Sequence, residues 1–181
     1  NSSGTISGSH TYADDGVYTV RVTVHDDNGG SHFQEFTVTV TNVNPVVVVP
    51  NGNQSILEGG TVSFSDLATF TDPGFDNPLN PTTPATGDPL AESFTYDIDW
   101  GDGQSPIVGM MIADMNGAPN VNSSGTISGS HTYADDGVYT VRVTVHDDNG
   151  GSHFQEFTVT VSNALPVLSV PPNQALNEGQ M

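Results

Sequence analysis

The chain has 181 residues, of which 21 are Asp or Glu and only two are Lys or Arg, giving a net charge of −19 near neutral pH. Such a field repels nucleic acid and anionic membrane surfaces, and no apolar run reaches the roughly 18 residues that membrane insertion as a helix requires. With no cysteine there is no disulfide framework, thiolate metal site or thiol nucleophile, which leaves cations as the natural partners, or dispersed acidic charge that serves only solubility.

Taken in chain order, the first forty residues recur without a change at 122–161, a spacing of 121. Within them Val20, Val22 and Val24 alternate with Arg21, Thr23 and His25. Phe36, Val38 and Val40 alternate with threonines in the same way, and this period of two with β-branched residues predicts half-buried strands. Between them "HDDNGGSH" carries Asn-Gly, a hairpin signal. "TNVNP" and "SNALP" are short, polar and end in proline, as linkers do. The similarity continues beyond them, since "NQSILEGG" from Asn53 answers "NQALNEGQ" from Asn173.

We therefore read a tandem array with a unit of about 120 residues. Residues 1–41 are the back half of a preceding repeat, 42–44 a linker, 45–161 a complete repeat, 162–164 a second linker, and 165–181 the first strand of a following repeat. The chain begins in mid-pattern, as a piece of something longer would. Each copy of the back half can compete for the front half within 45–121, so the apolar face of residues 1–40 is expected to be covered, within the chain or in a strand-swapped oligomer.

Inside the complete repeat, "TVSFS" (61–65) and "FTYDIDW" (94–100) alternate as strands, with Trp100 on the core side. The segments from Asp72 to Glu92 and from Ala113 to Gly125 are too polar or proline-rich for strands and read as long loop insertions. "VGMMIADM" (108–115) reads as an edge strand, with a sticky partner surface as the alternative. "DDGVYTV" (135–141) fits a tyrosine corner with Val141 where an immunoglobulin domain has cysteine. No segment shows a period of 3.6. The expected fold is all-β, an Ig-like Greek-key β-sandwich.

"YDIDWGDG" (96–103), "HTYADDGVYTV" (131–141) and "VHDDNGG" (145–151) together resemble the PKD (polycystic kidney disease) domain family. The resemblance covers 45–161 and the back half in 1–40. It implies a PKD-like sandwich from a secreted or cell-surface protein, in repeats such as giant bacterial surface proteins carry. Some collagenase PKD domains hold calcium near the start of the domain, which carries over to Asn44, Asp72 and Asp76.

Ig-like strand order brings the loops after the second and sixth strands to the pole where the linker enters. Asp72, Asp76, Asp147 and Asp148 would converge there with Asn44, a hard-oxygen set suited to calcium. The same residues also suit a turn and a polar hairpin tip with no ion. At the opposite pole Asp99, Asp102, Asp135 and Asp136 offer room for a second cation, although Asp102 also suits fixing its own Gly-Asp-Gly turn. His146 and His153 flank the hairpin tip without a third ligand at fixed spacing. There is no Gly-x-Ser-x-Gly, His-Glu-x-x-His or phosphate-cradling loop, and the aspartates lie on turns and an outer strand face. The reading is non-catalytic: a spacer or adhesion segment contacting neighbouring repeats, stiffened by calcium at the junctions. The alternative is an accessory module of a secreted hydrolase that binds an extracellular polysaccharide or protein through exposed aromatics, of which Phe75 is the candidate off the core parity.

Overall fold

A computed structural model describes residues 3–76, 92–111 and 114–179. Val, Thr, Tyr and Phe at alternate positions favour extended chain that packs one face, and ten strands form among the described residues. The first two, β1 (Gly16–His25) and β2 (Ser31–Val40), pair antiparallel from Gly16↔Val40 to His25↔Ser31 and form a sheet of their own. The rest make the sandwich: β3 (Val46–Val48), β4 (Gln54–Leu57), β5 (Thr61–Asp72), β6 (Phe94–Asp99), β7 (Ile107–Met111), β8 (Ser123–Thr132), β9 (Gly137–Asp147) and β10 (Ser152–Ser162).

One sheet has the order β3-β5-β8 and the other β4-β10-β9-β6-β7. The chain changes sheets between β3 and β4, and β4 then runs parallel to β10 while every other pair is antiparallel. This is the expected Ig-like sandwich. Leu67, Phe70 and Ile127 from the smaller sheet meet Phe94, Ile98, Val141, Val143, Val159 and Phe157 from the larger one in a single core. Trp100 closes that core, 4% exposed, and the Tyr133 hydroxyl donates to its carbonyl at 3.0 Å. Gly129 lies where a Cβ would come within 3.1–3.2 Å of Leu67, Ile98 and Trp100, so the absence of a side chain lets β8 press onto the core. In the tyrosine corner the Tyr139 hydroxyl donates to the Asp135 carbonyl at 3.0 Å, and Val141 is fully buried beside it.

Two expectations need correction. Ser123–Gly125, read as loop, belong to β8, because β5 offers a full ladder from Asp72↔Ser123 to Thr61↔Thr132. The identical sequence near the start of the chain has no such partner and forms no strand over 3–12. Residues 165–179 carry no strand among the described residues, and their reading as the first strand of a following repeat stays a proposal.

Within the chain no front half covers the apolar face of β1–β2, and cover from a second chain stays a proposal. Phe36 and Val24 are 55% and 54% exposed, against 5% and 0% for their twins Phe157 and Val145. The contiguous copy β9–β10 already occupies the only front half in the chain, and the hairpin face borders an open cavity of about 530 Å³ shared with Ile6–Tyr12. The second correction is Phe75, which is buried rather than displayed, at 6% exposure. Of the long loop read from Asp72 to Glu92, residues 77–91 lie outside the described residues, as do 112 and 113 next to the edge strand.

Candidate metal centre

Strand β5 ends at Asp72, β6 starts at Phe94, and the β9–β10 hairpin turns over at residues 147–151. All three ends share one pole, and the linker enters there. Asp147 fixes the hairpin by accepting bonds on Oδ1 from the backbone N–H groups of Gly151 (2.6 Å) and Asn149 (3.1 Å). Its Oδ2 accepts from the Asn42 side chain at 2.9 Å, which ties the linker down. A Cβ on Gly151 would meet Asp147 Oδ2, Asn42 Nδ2 and Asn44 Oδ1, so the linker closes over a bare backbone. The twin Asp26 caps its own turn through Asn28 (3.0 Å) and Gly30 (2.6 Å) with no linker against it. Turn fixing is thus intrinsic to "DDNGG", and the linker clasp is what the junction adds.

Asp72 is 2% exposed; its Oδ1 accepts from the Gly74 N–H at 2.7 Å, and its Oδ2 is buried with no partner. Burial pushes its carboxyl up to about 6; the Gly74 bond works against this, and the charges of Asp147 and Asp148 add to it. Glu92, at the foot of β6, lies over Gly74 beside Asp72. Burial and then the negative charges of Asp148, Asp72, Asp14 and Asp147 push its carboxyl up to about 8. Asp148 is also raised by burial, against hydrogen bonds from its own backbone and from Ser93. Asp76 faces inward to the chain, accepting the Glu92 backbone N–H at 2.6 Å.

The sequence reading missed three carboxylates. Glu92 was legible, because the residue before β6 must stand at the pole where β5 ends. Asp14 and Asp15 come from the turn before β1. That turn lies against the sandwich: the Phe75 N–H donates to the Ala13 carbonyl at 3.1 Å. Together with residues 40–43 it lines an open cavity of about 110 Å³, walled on the other side by Asp72, Pro73, Gly74 and Glu92. Asp15 Oδ1 is buried there without a partner.

Neither arginine is spare to balance these charges, and the chain has no lysine. Arg21 pairs with Glu35 (2.7 Å) and lies over Phe33, while Arg142 pairs with Glu156 (2.8 Å) and lies over Phe154. His146 bonds Asp97 at 2.9 Å, and His153 accepts the Val47 N–H at 2.9 Å, so neither is arranged as a metal ligand.

At the opposite pole Asp102 accepts from the Gln104 N–H (3.1 Å) and bonds His131 (2.8 Å), which stacks on Trp100. Burial raises its carboxyl, but these bonds outweigh it and hold Asp102 below the usual range. Asp99 Oδ1 takes the Gly101 N–H at 2.9 Å. Among the described residues the tightest acidic group is a different one: Glu58, Asp135 and Asp136 bring one carboxylate oxygen each to within 4.8 Å of one another. Asp72, Glu92, Asp147 and Asp148 interact through charge without reaching that mutual spacing.

The family model described as "Putative Ig domain" matches residues 1–41 and 120–162, the two copies of the back half. That match spans less than half of the chain. The chain is also similar to the PKD domain of an M14-like peptidase from Thermoplasmatales archaeon SCGC AB-540-F20, at 24% identity and a TM-score of 0.36 over 65% of this chain and 92% of that one. No curated protein matches the chain.

Proposed function

We propose that this chain is a non-catalytic extracellular spacer and adhesion segment, and that calcium binds at the junction between consecutive repeats. One observation carries the reading. A carboxylate with an unpartnered oxygen is buried at the domain junction, within a cluster that raises its neighbours' pKa values, and no arginine or lysine is there to balance it. An isolated ionised carboxylate is costly to bury, and a hard divalent cation with oxygen ligands removes that cost. Asp72, Glu92 and Asp148 are the acidic ligands on the sandwich side, with Asn44 supplying an amide oxygen and Asp76 at the rim. Asp147 holds the linker across the site, so ion binding and linker restraint are coupled. Extracellular modules bind calcium at about 10⁻⁴–10⁻³ M, an affinity that fills the site where calcium is millimolar and leaves it unfilled inside a cell.

The test is scanning calorimetry of the 181-residue chain in chelator and in about 10 mM calcium, alongside small-angle scattering in the same buffers. A Kd of about 10⁻⁴ M stabilises the folded form by about 2.7 kcal/mol at that concentration, a rise of several degrees in melting temperature. An unchanged melting temperature together with an unchanged radius of gyration sinks the reading.

A further inference from the structure

The forty-residue identity places one acidic turn in two settings, and comparing them shows what a complete junction contains. In the first, Asp14 and Asp15 stand at the end of a back half and face the next sandwich across the 110 Å³ cavity, opposite Asp72 and Glu92. In the second, their twins Asp135 and Asp136 stand beside Glu58. Glu58 is itself fastened to the outgoing linker: its carboxylate accepts the Ala164 N–H at 2.9 Å, and its own N–H donates to the Ser162 carbonyl at 2.9 Å. The Glu58–Asp135–Asp136 group therefore occupies, on the complete repeat, the position from which Asp14 and Asp15 reach the following one.

The geometry points to a junction site shared by two repeats. The upstream repeat supplies the two aspartates of the "ADDG" turn and the glutamate of "LEGG", and the downstream repeat supplies Asp72, Glu92 and Asp148. This inference rests on the calcium reading above and adds the second contributor, another copy of the same unit. An acidic cluster alone would not carry it. What does is the orphaned oxygen of Asp72, a side chain 2% exposed that lines this cavity, together with the buried and unpartnered Asp15 Oδ1 on the facing wall.

Calcium is titrated by isothermal calorimetry into the 181-residue chain, Asp72→Asn, D14N/D15N, and the charge-matched control D26N/D27N on the same hairpin. The Tyr18 hydroxyl bonds only the backbone carbonyls of Asp14 and Asp15 (2.9 and 3.2 Å), so asparagine keeps the turn. D14N/D15N is expected to weaken the binding that Asp72→Asn removes by about tenfold or more, and D26N/D27N by less than about twofold. If D14N/D15N behaves like D26N/D27N while Asp72→Asn still removes binding, the site belongs to one repeat and the shared junction is wrong, with the calcium reading intact. Absence of any calcium uptake by the parent chain overturns both. In a longer chain whose residues 165–181 continue into a complete repeat, E58Q/D135N/D136N is expected to weaken the newly formed site to the same degree, and no effect there also overturns the inference.

Discussion

Asp72 shows how a single side chain sets the behaviour of the junction. Its environment raises its carboxyl from the usual value near 3.8 to about 6, and Glu92 beside it is raised to about 8. Both groups hold their protons more tightly in the folded chain than in the unfolded one, so folding takes up protons between about pH 4 and pH 8. Stability is accordingly highest near pH 4–5 and is lost as pH rises through the two folded values. Each pKa unit corresponds to about 1.4 kcal/mol, so ionising Asp72 alone opposes folding by at most about 3 kcal/mol. Denaturant titrations in chelator at pH 4.5, 6 and 8 should show this decline, and calcium should flatten it. Asp72→Asn should gain about 1–3 kcal/mol in chelator at pH 8, lose the share of the pH dependence that Asp72 contributes between about pH 4 and pH 6 while keeping that of Glu92, and no longer respond to calcium. A pH-independent parent chain would contradict the buried-carboxylate account.

At the scale of elements, the duplicated stretch separates what residues encode from what neighbours impose. The hairpins need no context: Asn-Gly, alternating valines and a capping aspartate produce β1–β2 and β9–β10 alike, and both were legible in the sequence. So were β6, the tyrosine corner and the pole at which the linker enters, because each follows from strand parity or from Ig-like strand order. Strand β8 was not legible. "SSGTISGSHT" is polar and glycine-containing with little strand propensity of its own, and its extended form comes from the ladder with β5; the copy at 3–12 shows what it does without one. Glu58 as a neighbour of Asp135 and Asp136 was hidden for a related reason, since it lies far from them in sequence and meets them only through the fold. Hydrogen exchange reads this directly. Residues 3–12 and 124–133 are one peptide by mass, and after exchange it should show two envelopes of equal size, one fully exchanged and one protected to near the global stability. A single envelope would mean that the two copies share one environment.

For the molecule as a whole, the charge of −19 and the placement of the two arginines belong together. Each arginine is spent on a cross-strand clamp with a glutamate and a phenylalanine, so neither offsets the carboxylates around Asp72. Those clamps also decide how the chain meets a protease. With no lysine, a trypsin-like enzyme can cut only after Arg21 and Arg142. Arg142 lies in β9, held between β10 and β6, whereas Arg21 lies in the two-stranded sheet that nothing flanks. Digestion should start at Arg21 and leave residues 22–181 intact, and cleavage at Arg142 should follow the globally unfolded population and slow in calcium. Early cleavage at Arg142 would show that β9 opens locally. The sandwich from β3 to β10 offers such an enzyme one target in its whole length, and hides it in the middle of its widest sheet.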